Sequence, residues 1–239
     1  MADTDPVVAL LAGASGFVGT HVLDALLHAP EVTRVFAVTR RPLGREHSRL
    51  ANRIVQFDHL ERQLAGLKCQ AAFCCLGARL ADRAGAEEQA VRRVDFGYTL
   101  AFARAAKAAG ATRFVVVSAA GADVAAKSTY LRAKGELEQA LSGLGFAALE
   151  ILQPAMVLGW PREMRAADLV RRAAMPLLNP FLVGERMVRR GIPVATLAAA
   201  MVGTLRAGRR GPMRYTYEGI GALAQMRSRR PAGLVAAAR

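Results

Sequence analysis

Tyr130 and Lys134 stand four residues apart in the stretch YLRAK, a spacing that places both side chains on one face of a helix. An ammonium beside a phenol favours the phenolate, so such a tyrosine can exchange a proton with a substrate oxygen while a hydride moves to or from a nicotinamide. Ser118, twelve residues before the tyrosine, ends the apolar run RFVVVS, where its hydroxyl could orient that oxygen. A plainer reading of the three residues is a surface tyrosine with a lysine neighbour and a serine that closes a strand.

A second constellation belongs to phosphate. In GASGFVG, Gly13, Gly16 and Gly19 recur at intervals of three, behind the apolar run VVALLA and ahead of a helical pattern. Gly13 permits a tight turn, Gly16 lets backbone N–H groups approach a pyrophosphate, and Gly19 lets the helix pack closely on a sheet. The helix start adds unpaired amides and a partial positive charge. Any crowded strand-to-helix turn could use spaced glycines, but this position, after the first strand and before an amphipathic helix, favours a dinucleotide. A carboxylate that selects NAD over NADP is expected roughly 20 residues past the last glycine; here the chain reads Val38-Thr39-Arg40-Arg41. Two arginines and no acid favour NADP(H) over NAD(H), because each guanidinium can fork onto phosphate oxygens; the alternative is that they simply face solvent. Asp58, in VQFDHL, could accept from an adenine amino group or cap the following short helix.

The elements that must position these residues follow from the hydrophobic pattern. Strands are expected near Val7–Ala12, Arg34–Thr39, Ile54–Phe57, Ala71–Leu76, Arg113–Ser118 and Ala147–Leu152, with a late one around Tyr215–Tyr217. Helices are expected near Gly16–Leu27, Leu60–Ala65, Glu87–Ala109 and Tyr130–Leu144, with Gly110, Gly143 and Gly145 as stop signals. Strands such as VVALLA and FVVVS are apolar throughout, so both faces of their sheet should be covered, which is the pattern of an α/β doubly wound, mostly parallel sheet. Beyond Pro154 frequent prolines break the alternation, and residues 155–192 and 212–239 are read as a small substrate-side lobe built on one domain.

Composition sets limits. At 239 residues, 53% hydrophobic and 22% charged, the chain is globular and long enough for a substantial core. MADTDP carries acids where a secretory signal would be basic, and no apolar run nears the roughly 18 residues of a membrane span, so a soluble, cytoplasmic protein without membrane contact is expected. Cys69, Cys74 and Cys75 lack ligand-like histidine spacing and are expected to be buried thiols, with no disulfide and no metal. The net charge is +14, with 29 arginines among 33 basic residues. From Arg162 onward 15 arginines face four acids, a surplus that is either a solvated surface or an attraction for an acidic protein partner. Nucleic acid is disfavoured, since no aromatic platform accompanies the arginines. The expected oligomeric state is open, and a small-molecule substrate is the expected partner.

These residues resemble the short-chain dehydrogenase/reductases, in their atypical NAD(P)-binding branch. The glycine motif at 13–19, Asp58, Ser118 and the Tyr130–Lys134 pair carry the likeness. The pieces FCCLG, AGAE, RVD and YLRAKGELE resemble the Tat-interacting-protein oxidoreductases and their bacterial relatives, over roughly residues 7–205. The resemblance implies one Rossmann domain over 1–239 in which Gly13, Ala14, Ser15, Gly16, Phe17 and Val18 wrap the pyrophosphate. Arg40 and Arg41 would take the 2′-phosphate, Leu76 and Gly77 the adenine-side ribose, Lys134 the nicotinamide ribose, and Pro154 with Met156 and Val157 the nicotinamide. Relatives often carry arginine where this chain has Gln153, and a second serine where it has Ala119. The expected activity is NADPH-dependent reduction of a carbonyl or similar small molecule, with Tyr130 as acid; the alternative is an NADP(H)-binding regulatory or scaffold protein with little turnover.

Overall fold

The computed structural model describes residues 6–77, 89, 92–159 and 190–226. Seven parallel strands form one twisted sheet in the order β3-β2-β1-β4-β5-β6-β9: β1 (Val7–Ala12), β2 (Val32–Thr39), β3 (Leu50–Ile54), β4 (Ala71–Cys74), β5 (Arg113–Val117), β6 (Ala148–Leu152) and β9 (Gly211–Tyr215). Six helices accompany them among the described residues: α1 (Phe17–His28), α2 (Leu60–Gln63), α3 (Thr99–Ala108), α4 (Thr129–Ser142), α5 (Val194–Gly203) and α6 (Tyr217–Ala224). The short strands β7 (Met156–Leu158) and β8 (Gly191–Pro193) pair in parallel apart from the main sheet.

The uninterrupted apolar strands are explained by cover on both faces. Along β1, Ala9 and Leu11 join the core beneath α1, α5 and α6, while Leu10 and Ala12 join the core beneath α2, α3 and α4. The same two-residue alternation sends Val115 to the first core and Phe114 and Val116 to the second. This is the doubly wound Rossmann arrangement, and its order reverses between β1 and β4, the place where such sheets open a crevice for ligands.

Two expectations are corrected and a third is refined. The third strand lies at Leu50–Ile54 rather than Ile54–Phe57; it is the sheet edge, so Arg53 and Ile54 face outward and no apolar pattern marked it, while Phe57 is buried in a 3-10 turn. The helix expected from Glu87 carries a π-helical segment, Arg92–Tyr98, ahead of α3; most of 87–91 lies outside the described residues. Residues 212–226, assigned to the lobe, belong to the main layers: β9 is the far edge strand, α6 packs on α5, and Pro212 is tolerated because an edge strand leaves its missing N–H unneeded. Of the rest of the lobe, 155–159 and 190–192 contribute to the separate β7–β8 pair, and 160–189 and 227–239 fall outside the described residues. Among the described residues no helix is long and apolar enough to cross a membrane.

Candidate functional site

At the reversal of strand order, the chain leaves β1 through Gly13 at φ +83°, a left-handed conformation that favours glycine. A Cβ there would lie 2.7 Å from the carbonyl of Cys75, so the turn after β1 presses directly on the turn after β4. Gly16 N donates to Gly13 O at 2.9 Å, and α1 begins at Phe17 with no side chain of Gly16 to cap it. A Cβ on Gly19 would lie 1.9 Å from Gly13 O, so only glycine lets the helix start this near the turn. Ala14 is buried, Ser15 exposed, and Phe17 and Val18 half-buried. The Phe17 ring meets His21 edge-on at 5.9 Å and lies close beside Gly159, joining the glycine turn to the segment after β7. A backbone-lined cradle at a helix N-terminus is the geometry a pyrophosphate requires.

Arg40 and Arg41 follow β2, both exposed and without a side-chain partner among the described residues. Their loop is pinned by residues that the sequence reading missed. Asn52 of β3 donates to Thr39 Oγ1 at 2.7 Å and to Ala37 O at 3.0 Å, and its Oδ1 accepts from Leu43 N at 3.0 Å. Thr39 Oγ1 in turn donates to Arg41 O at 2.8 Å. Asp58 caps no helix. Both its oxygens accept from Arg93 Nη2 at 3.0 Å, and Tyr98 OH donates to it at 3.1 Å. The Arg93 guanidinium holds the Asp58 carboxyl below the usual carboxylate range. A ligand amino group would therefore compete with an arginine already in place.

The polar groups of α4 sit at successive turns of one face: Tyr130, Lys134, Glu138. Lys134 Nζ lies 2.7 Å from Asp95 Oδ1 and 3.4 Å from Val117 O, and 5.8 Å from the centre of the Tyr130 ring. Burying that ammonium is tolerable because a carboxylate is buried with it. Asp95 comes from the π-helical segment, whose widened turn is also marked by Thr99 Oγ1 donating to Val94 O, five residues back. The piece RVD was visible in the sequence, but nothing in its spacing tied its acid to Lys134.

Ser118 is buried, and its hydroxyl donates to Glu138 Oε1 at 2.5 Å. The proton expected to orient a substrate oxygen is thus committed to a carboxylate that the sequence reading did not single out, although its place four residues after Lys134 was the available signal. Leu76 is half-buried against the second core and Gly77 exposed. Pro154 is buried and its carbonyl accepts from Ala120 N at 3.2 Å, which ties the turns after β5 and β6; Val157 lies half-buried in β7. Cys69 and Cys74 are buried and Cys75 is half-buried, and burial pushes the Cys69 and Cys74 thiols up to about 11. Among the described residues no group of histidine, cysteine and acid could hold a metal. Of the C-terminal arginines, Arg209 and Arg210 line a cleft of about 420 Å³ with Thr112 and Arg113, at the amino ends of the strands, opposite the glycine turn.

An NAD(P)H-binding family matches residues 13–167. The protein fmp52, mitochondrial, of Aspergillus fumigatus is 32% identical over 169 residues, 68% of this chain and 71% of its own. The protein HTATIP2 of Rattus norvegicus is 31% identical over 198 residues, 81% and 78% of the two chains. Among solved structures, a short chain dehydrogenase from Burkholderia cenocepacia in complex with NADP aligns with a TM-score of 0.64 at 15% identity, over 90% of each chain. MoeE5 in complex with UDP-glucose and NAD aligns with a TM-score of 0.65 at 19% identity, over 87% of this chain and 75% of its own. These two structural likenesses speak to the fold.

Proposed function

The chain belongs to the NAD(P)H-binding family, as an atypical short-chain dehydrogenase/reductase, and from that membership we propose that it is an NADPH-dependent oxidoreductase reducing a carbonyl or similar small molecule. The observation that carries the reading is the Lys134 ammonium, fixed on Asp95 one helical turn from Tyr130. The glycine turn fits the cofactor: a Cβ at Gly13 or Gly19 would collide with backbone, so the two glycines hold the turn tight at the helix N-terminus, where main-chain N–H groups can meet a pyrophosphate. Residues 13–18 would hold the pyrophosphate, Lys134 the nicotinamide ribose, Leu76 and Gly77 the other ribose, and Pro154 and Val157 the border of the nicotinamide. Arg40 and Arg41, free of side-chain partners among the described residues, support a 2′-phosphate and hence NADP(H).

When bound, NADPH supplies a hydride, which would form the new C–H bond at a carbonyl carbon. Tyr130 donates its hydroxyl proton to the carbonyl oxygen and is reprotonated from solvent, so that carbonyl, NADPH and one proton become alcohol and NADP+. Lys134 stabilises the phenolate left between those two proton transfers. Cytoplasmic location is part of the same proposal.

A second reading, an NADP(H)-responsive binding protein with little turnover, is favoured by one observation: Ser118 spends its proton on Glu138, and Ala119 offers no second hydroxyl. Its partner would be an acidic protein drawn to the arginine-rich C-terminal region. Calorimetry with NADPH and NADH, followed by NADPH oxidation against aldehydes, ketones and quinones, separates the two. Selective NADPH binding with turnover that Tyr130→Phe abolishes supports the reductase. Selective binding without oxidation supports the binding protein, and absence of binding refutes both.

A further inference from the structure

Glu138 gathers three strand ends. Its carboxylate is 3% exposed, and Oε1 accepts from Ser118 Oγ at 2.5 Å and from Gln153 Nε2 at 2.8 Å, while Oε2 accepts from Arg214 Nε at 2.7 Å. Ser118 follows β5, Gln153 follows β6, and Arg214 lies in β9. Backbone bonds run along the same seam: Ser118 N to Leu152 O at 2.7 Å, Gln153 N to Tyr215 O at 2.8 Å, and Ala120 N to Pro154 O at 3.2 Å.

A buried carboxylate needs a counter-charge as well as donors. Ser118 and Gln153 are neutral, and Lys134, one turn earlier on α4, is held by Asp95. The ion pair of Glu138 is with Arg214, whose side chain is 52% exposed and lies outside the span matched by the family. We infer that Arg214 and Glu138 form a positioning clamp: the edge-strand guanidinium keeps the carboxylate in place, and the carboxylate sets the Ser118 turn and the Gln153-Pro154 turn that border the nicotinamide. The placement of the nicotinamide rests on the function proposed above; the clamp itself does not.

Gln153 already donates to the same carboxylate, so a guanidinium at 153 would reach it, and this gives the test its rescue. Arg214→Ala is compared with the wild type and with Arg214→Ala/Gln153→Arg. Each is measured for melting temperature and for binding of NADPH and of 2′,5′-ADP, a probe carrying only the adenine end. Arg214→Ala should weaken NADPH about tenfold, equivalent to about 1.4 kcal/mol, while 2′,5′-ADP changes less than about twofold, and Gln153→Arg should restore NADPH to within about threefold. Unchanged NADPH affinity, an equal loss for both probes, or failure of the second substitution to restore binding overturns the clamp. Should Arg214→Ala not fold, Arg214→Gln takes its place against the same criteria. If the wild type binds neither probe, the cofactor reading fails, and the clamp is decided by melting alone: a loss with Arg214→Ala that Gln153→Arg reverses supports it, and no reversal refutes it.

Discussion

Lys134 Nζ and Asp95 Oδ1 lie 2.7 Å apart with side chains 3% and 0% exposed, one on α4 and the other in the π-helical segment before α3. Each charge is tolerable inside the protein because the other is there. Asp95→Ala should therefore cost about 3–5 kcal/mol, the range for stranding one partner of a buried pair. Chemical denaturation measures it, and a loss under about 1 kcal/mol would mean that Lys134 finds water or another acid. Asp95→Ala combined with Lys134→Met should recover much of the loss, because the combination strands no charge.

Arg40 and Arg41 stand exposed beyond β2, on a loop held by Asn52 and Thr39. Replacing both with alanine removes the charge offered to a 2′-phosphate and leaves the loop's anchors intact. NADPH affinity should fall by at least about tenfold, within the usual ~1.5–3 kcal/mol of a hydrogen bond to a charged group, while NADH affinity changes little. Calorimetry with both cofactors decides, and an equal loss for the two contradicts the assignment.

Gly19 has no room for a side chain, since its Cβ would lie 1.9 Å from Gly13 O and 2.6 Å from Gly13 C. Both obstacles are backbone of the turn proposed to hold the pyrophosphate, so the turn itself must move. Gly19→Ala should destabilise by about 1–3 kcal/mol or more, the cost of overpacking, and should weaken NADPH. A variant that melts and binds like the wild type would show that the turn yields freely.

Cys74 is fully buried at the end of β4, and burial raises its thiol from 9.0 to about 11. Folding thus favours the protonated thiol, so the contribution to stability is fully present below pH 9, the unfolded value, and is lost as pH rises towards about 11. Denaturation midpoints should fall between those limits, and Cys74→Ala should flatten that part of the profile. At pH 8 a thiol reagent should leave Cys74 unlabelled until denaturant is added, and prompt native labelling would contradict its burial.

Legibility differed by element. The central strands and the glycine turn could be read because their signals are local: apolar runs reflect cover on both faces, and glycine spacing reflects backbone geometry within seven residues. The edge strand Leu50–Ile54 could not, because a strand with one neighbour and an open side needs no apolar pattern. The π-helical segment within the helix near Glu87–Ala109 was not legible either, since it shifts which residues face inward and leaves the composition unchanged.

The site divides in the same way. By itself, the sequence determined the glycine turn, the paired arginines after β2 and the Tyr130–Lys134 face, each a pattern set by neighbours along the chain. Only the tertiary structure decided where the charges go. Asp95 meets Lys134 across 39 residues, Glu138 meets Arg214 across 76, and Asp58 is taken by Arg93 across 35. The first two pairings are fixed by burial, which makes an unpaired charge costly and so selects a partner by position in the fold and not by position in the chain, whereas Asp58 and Arg93 meet at the exposed surface, where the fold brings them into reach.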